Sequence, residues 1–155
     1  MARIAIIGTG LIGRAWATVF AGTGFDVALY DPATGAALAA KKFIASSLRE
    51  QQALGLVKNA AASVRRVRIA ADIADALQGA VLVQENGPEV LDAKIKLYEE
   101  IDQLAGPDTI LASSTSFIPC SAFSKGLRGR ARCLVGHPVN PPHLVPVVEL
   151  CGSPW

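Results

Sequence analysis

Charge is scarce in this chain. Asp, Glu, Lys and Arg make up 18% of its 155 residues and leave a net charge of +2, so no basic field exists to gather nucleic acid. Long apolar runs are also missing, and none approaches the roughly 20 residues that a membrane span needs. A strand pattern opens the chain at once, so no signal peptide is expected. The three cysteines, Cys120, Cys133 and Cys151, are an odd set without metal-ligand spacing. They are expected as small buried hydrophobes rather than disulfide partners or ligands, in a reducing, cytoplasmic setting with no metal. No repeat or low-complexity run interrupts the sequence. What is abundant is apolar: 51% of residues are hydrophobic and the mean hydropathy is +0.36. A chain this long can bury a core of its own as one domain. The excess apolar content implies a surface meant to be covered, and self-association in solution.

The order of patterns predicts strands alternating with helices. Ile4–Ile7 reads as a short buried strand, 11–21 as an apolar helix and Val27–Tyr30 as a second strand. Together they have the size of one βαβ unit. Residues 34–54 have helical composition, and 56–62 reads as a further short helix; these form an insertion before the third strand. Strands are expected at 67–70, 80–84, 109–112, 131–135 and 147–150, with helices at 72–77, 89–104 and 121–125. The alternation argues for an α/β fold, a doubly wound, mostly parallel sheet covered on both faces, with a helical insertion after the second strand.

The first turn carries chemistry. Gly8-x-Gly10-x-x-Gly13 is a weak signal alone, but here a strand precedes it, a helix follows it and an acid, Asp31, ends the next strand. Gly8 permits the tight turn, Gly10 lets the backbone approach a pyrophosphate, and Gly13 lets helix and strand pack closely. The helix N-terminus offers free N–H groups to the anion. Asp31 can accept hydrogen bonds from ribose hydroxyls. No Arg or Lys follows it until Lys41, which favours NAD over NADP. The competing reading is an ordinary tight turn and a turn Asp before Pro32.

Two further constellations fall at the carboxyl ends of predicted strands, where open parallel sheets bind ligands. One is Gln84-Glu85-Asn86-Gly87-Pro88-Glu89 and the other Ser113-Ser114-Thr115-Ser116. Each has a bland alternative, Glu89 as a helix first-turn acid and the hydroxyls as a turn. His137 is harder to dismiss, because it leaves a strand at the ligand end of the sheet. Glu149, in the apolar segment Pro146-Val147-Val148-Glu149-Leu150, would be costly unpaired. A reversal through the Pro-rich turn would set it beside His137 as the carboxylate that orients a general base. His143 reads as an exposed, incidental residue of that turn.

The segments GTGLIGRAWATVFAGTGFDVALYDP, VQENGPEVLDAK, SSTSFIP and GHPVNPPHLVPVVEL together resemble the NAD-binding N-terminal domain of the 3-hydroxyacyl-CoA dehydrogenase family. The HPVNPP variant is similar to its lambda-crystallin and L-gulonate 3-dehydrogenase branch, and the resemblance spans nearly the whole chain. It implies a Rossmann-type domain over 1–151, with 152–155 starting a linker to a helical C-terminal domain absent from this chain. It further implies an oxidoreductase that moves hydride from the C3 hydroxyl of a 3-hydroxyacyl-CoA or small 3-hydroxy acid to NAD. By position, His137 is similar to the catalytic base, Glu149 to its orienting acid and Ser116 to a serine touching both substrate and cofactor. Gly8, Thr9, Gly10, Leu11, Ile12, Gly13 and Asp31 match the cofactor cradle. Glu89 and Lys94 match a Glu/Lys pair that contacts NAD, and Asn140 an asparagine near the site. A homodimer built on the second domain is implied, with little or no turnover by this part alone. A non-catalytic NAD-binding or structural, crystallin-like protein is the alternative.

Overall fold

The computed structural model describes residues 2–155. Seven strands form one sheet in the order β3-β2-β1-β4-β5-β6-β7. The strands are β1 (Arg3–Ile7), β2 (Asp26–Tyr30), β3 (Val67–Ile69), β4 (Ala80–Glu85), β5 (Ile110–Ser113), β6 (Cys133–Pro138) and β7 (Val148–Gly152). The first six run parallel, and β7 alone is antiparallel, at the edge. Six α-helices connect them: α1 (Leu11–Gly22), α2 (Ala36–Ala53), α3 (Ala60–Arg65), α4 (Ile73–Leu77), α5 (Leu91–Leu104) and α6 (Cys120–Ser124).

Alternation along the strands sends side chains to two separate cores. Ile4, Ile6, Val27 and Leu29 face one way and pack with α1, α2 and α3 through Ala17, Ala21, Ile44, Leu48 and Ala60. Ala5, Ile7, Ala28 and Val83 face the other way and meet Tyr98, Ile101 and Phe123 from α5 and α6. Burial on both faces is why these strands read as continuous apolar runs. The chain reverses direction across the sheet between β1 and β4, and a crevice opens there at the carboxyl ends of the strands. No helix among the described residues is long and apolar enough to cross a membrane.

The expected architecture is present, with local differences that have physical causes. The helix expected over 56–62 lies at Ala60–Arg65, because the Asn59 side chain caps it by accepting from Ala62 N–H. Helix α5 starts at Leu91, so Glu89 is not a first-turn acid; its carboxylate is engaged elsewhere, as described below. Strand β6 runs to Pro138 rather than 135, so His137 lies within the strand instead of beyond it. Strand β7 extends through Gly152, opposite Leu134, one residue past the expected domain end.

Candidate functional site

Three glycines shape the turn after β1. Gly8 has φ +85°, and a Cβ there would meet the Asn86 carbonyl at 2.9 Å; at Gly13 it would meet the Gly8 carbonyl at 1.9 Å. Both positions therefore need glycine for close approach. At Gly10 nothing lies within 4 Å, so its face stays open. Gly10 caps α1 without a side-chain hydrogen bond, which leaves the helix's first N–H groups, including those of Leu11 and Ile12, facing open space.

Asp31 closes the other side of this crevice. Its Oδ2 accepts from Thr9 N–H at 2.7 Å and from the Thr9 hydroxyl at 2.9 Å, while Oδ1 accepts from Ala33 N–H at 3.0 Å. The carboxylate is thus fixed at the end of β2, with lone pairs left for a diol. A cleft of about 590 Å³ runs past Gly8, Gly10, Asp31, Pro32, Asn86 and Pro88. Open glycine, free helix N–H groups and a fixed acceptor side by side along one cleft fit a dinucleotide.

The loop after β4 forms the floor between this cleft and the strands beyond. Its anchor is a pair that the sequence did not disclose: Lys94 Nζ meets Glu85 Oε2 at 2.6 Å, and both side chains are fully buried. Ser113 donates to the same oxygen at 2.6 Å, and Gly87 N–H donates to the other at 2.6 Å. Lys94 and Glu89 therefore take different partners within the chain. Lys94 is committed to Glu85, since a buried ammonium needs its counter-charge. Glu89 instead takes the Thr115 hydroxyl at 2.7 Å and Ser116 N–H at 2.5 Å. This joins the loops after β4 and β5 and sets Ser116 at the exposed rim.

A second hub went unread as well. Ser114 Oγ accepts from Trp16 Nε1 at 3.1 Å and Gln84 Nε2 at 2.8 Å, and donates to Asn86 Oδ1 at 2.8 Å. Asn86 Nδ2 in turn donates to Gln84 O at 2.8 Å and reaches toward Ile7 O and Gly8 O. These contacts tie the glycine turn to the loops after β4 and β5. A polar Gln–Glu–Asn run ending an apolar strand was the available signal, since buried polar groups need partners.

At the far edge, His137 and Glu149 stand opposite each other in the antiparallel β6–β7 register. His137 Nδ1 lies 2.8 Å from Glu149 Oε2. The pairing has a different cause from the one expected. Glu149 is largely exposed, its side chain 76% accessible, so burial does not compel it to find a partner; cross-strand register sets it there. Asn140 sits exposed in the turn that follows. His143 is not the exposed residue its turn implied, for it packs edge-on against Phe43 at 5.6 Å. Burial, and then the charge of Arg14, hold its imidazole below the usual histidine range, with Glu50 opposing. Cys120 and Cys133 are buried and Cys151 exposed; burial raises the Cys133 thiol to about 12.

Comparison with known proteins agrees with this geometry. Residues 3–155 match the model of the 3-hydroxyacyl-CoA dehydrogenase NAD-binding domain. The chain is 38% identical over 151 residues to an L-carnitine dehydrogenase of Streptomyces griseus, covering 97% of this chain and 44% of that protein. It is 37% identical over 154 residues to the lambda-crystallin homolog of Mus musculus, covering 97% and 48%. The solved structure of 5-formyl-3-hydroxy-2-methylpyridine 4-carboxylic acid 5-dehydrogenase, an NAD+-dependent dismutase, superposes with a TM-score of 0.87 at 39% identity. That match covers 99% of this chain and 50% of the other. The chain thus spans just under half the length of the curated relatives named here. The match over residues 3–155, with which the glycine turn, fixed Asp31 and doubly wound sheet agree, makes the chain a member of the 3-hydroxyacyl-CoA dehydrogenase family, within that family's NAD-binding domain.

Proposed function

We propose that this domain serves an NAD-dependent dehydrogenase that oxidises a secondary hydroxyl on a small 3-hydroxy acid or 3-hydroxyacyl-CoA. The observation that carries this reading is the His137–Glu149 pair at 2.8 Å, near the carboxyl end of β6, the end of the parallel strands at which the dinucleotide cleft also opens. An ionised carboxylate can only accept, so Nδ1 carries the proton and Nε2 is left free as the base. Nε2 takes the hydroxyl proton, and Glu149 stabilises the imidazolium that forms; such catalysis contributes about 10²–10⁴-fold. NAD, when bound, supplies the hydride acceptor. The residues that hold it are the Gly8–Gly13 turn with Thr9, Leu11 and Ile12, the Asp31 carboxylate for the ribose, and Glu89 and Ser116 at the nicotinamide end. Lys94 acts from beneath, through Glu85 and the Gly87 N–H, and Asn140 borders the turn beside the base.

A helical second domain completes the enzyme in this reading. The exposed apolar side chains of Leu144, Val147, Val148 and Leu150 along the β7 edge give it a surface to cover, and the dimer is built on that domain. Without it, a pocket open on one side neither excludes water nor holds the substrate for attack. The cytoplasm is its proposed compartment. Two relatives favour small carboxylates as substrates: the carnitine enzyme and the pyridine-carboxylic acid enzyme. Calorimetric titration with NADH and NADPH tests the cofactor half, with NADH expected to bind at least tenfold tighter. A screen of 3-hydroxy acids and acyl-CoAs on the intact enzyme tests the rest. Absence of turnover with every one of them, with NADH binding intact, would favour a structural role instead.

A further inference from the structure

Strand β6 outruns its neighbour. Ser113, the last residue of β5, pairs with Val135, and Ser114 N–H turns away to the Glu85 carbonyl at 2.8 Å. Gly136, His137 and Pro138 continue beside β7 after β5 has ended on their other side. Residues 133 and 139 bond across to the β7 side, where Cys133 O accepts from Ser153 N–H and Val139 N–H donates to Val147 O. By the alternation of an antiparallel pair, the Gly136 carbonyl points the opposite way, into the gap that β5 leaves. A buried carbonyl in that gap needs a donor.

Gln84 supplies it from two strands away. Its side chain is buried, and Nε2 donates to Ser114 Oγ at 2.8 Å and to Gly136 O at 3.3 Å. The residue beside it in the sheet is Ala112, whose methyl is small enough for the carboxamide to pass. A Cβ at Gly136 would lie 3.7 Å from Gln84 Oε1 and 3.8 Å from the Ala112 Cβ. Both N–H groups of the amide are thus committed. One holds the residue before the base. The other holds the Ser114 hub, which takes Trp16 from α1 and gives to Asn86 beside Gly8. A continuous set of hydrogen bonds therefore runs from the glycine turn to the strand that carries His137. Hydride and proton leave one carbinol together, and a misplacement of about 1 Å can cost about 10²-fold in rate. We infer that Gln84 is a positioning residue: its carboxamide ties the β6 segment bearing His137 to the cofactor turn, and so sets the base relative to the nicotinamide. The inference rests on the dehydrogenase reading above. A role in packing alone would lower stability and leave that alignment unchanged.

The chain contains only two histidines, so imidazole NMR resolves them, and His143→Gln assigns the signals. Saturating the 155-residue chain with NADH should shift the His137 ring resonances through the nearby nicotinamide. Gln84→Met keeps the length of the side chain and removes its donors. That variant should lose most of the shift while binding NADH as tightly as wild type. The Nδ1–H form of His137 should persist in it, because β7 moves with β6. Ser114→Ala, which removes the other partner of the amide, should give a smaller loss in the same direction. Turnover by the intact enzyme should follow, with kcat lowered about 10- to 100-fold in Gln84→Met and KM unchanged. A wild type that binds no NADH, or binds it without a shift at His137, sinks the dehydrogenase reading and this inference with it. A full shift in Gln84→Met, with only its melting temperature lowered, sinks the inference alone. Loss of the Nδ1–H form also overturns it, since Gln84 would then act on the pair rather than on its place. Should Gln84→Met fail to fold, Ser114→Ala carries the test, and an undiminished His137 shift there is the overturning result.

Discussion

Two carboxylate-centred pairs of nearly equal length divide this molecule. Lys94 and Glu85 are 2.6 Å apart and each 1% exposed, whereas His137 and Glu149 are 2.8 Å apart and 32% and 76% exposed. The difference teaches what each can do. The buried pair has no access to a reactant, and its second carboxylate oxygen is committed to Gly87 N–H, so it works by fixing the loop under the cofactor cleft. The exposed pair contributes little to holding the fold, but its free imidazole face can be reached.

The largest break in that comparison comes from Lys94→Met. It strands a carboxylate in the core, and urea unfolding should show a loss of about 3–5 kcal/mol. A Glu85→Leu, Lys94→Met double variant should recover much of that loss, because no charge is left unpaired. Glu149→Gln should do the reverse. An exposed pair is worth about 0–1 kcal/mol, so the melt should barely move, while His137→Ala lowers turnover of the intact enzyme by about 10²–10⁴-fold. Equal stability losses from Lys94→Met and Glu149→Gln would erase the distinction.

A third pair sits between these extremes. Arg132 Nη2 meets Asp102 Oδ1 at 2.7 Å, with modest exposure on both sides. Burial alone would push the Asp102 carboxyl up. The Arg132 hydrogen bond and the Gly129 N–H outweigh it, and the net direction is down. A carboxyl whose folded pKa is depressed adds stability above its unfolded value, near 3.9, and loses it as pH falls through the folded one. Thermal melts should therefore show Arg132→Gln less stable than wild type at pH 7, by about 1–3 kcal/mol. The gap should narrow below pH 4. A gap constant down to pH 2 would mean that packing, not charge, makes the contribution.

Legibility followed sequence distance. The glycine turn and Asp31 are local patterns with fixed spacing, so strand, turn, helix and acid could be read together. His137 and Glu149 were legible through a hairpin, although the burial argument for Glu149 was wrong and register supplied the contact. Contacts between distant elements were not legible. Ser114 gathers Trp16, Gln84 and Asn86 across as many as 98 residues, and His143 meets Phe43 from another layer. The burial of Lys94 was not legible either, because a motif position gives no burial. The nearby signal was Glu85 closing the apolar strand Ala80–Glu85, in a sheet covered on both faces.

The smallest predicted effect probes whether the cofactor side follows the same rule of fixing by neighbours. Asp31 Oδ2 takes two donors from a single residue, the Thr9 N–H and hydroxyl. Thr9→Val keeps the backbone donor and removes the other, with a β-branched side chain of similar shape. A hydrogen bond is worth about 0.5–1.5 kcal/mol net, so NADH affinity should weaken between about two- and tenfold if the hydroxyl orients the carboxylate for the ribose. Thr9→Ser should restore it. NADPH affinity should not improve, since Thr9→Val adds no cation for a 2′-phosphate. If calorimetry finds NADH binding unchanged in Thr9→Val, the backbone N–H and Ala33 hold Asp31 by themselves. The hydroxyl would then be a buried group satisfied by Asp31 rather than one that positions it.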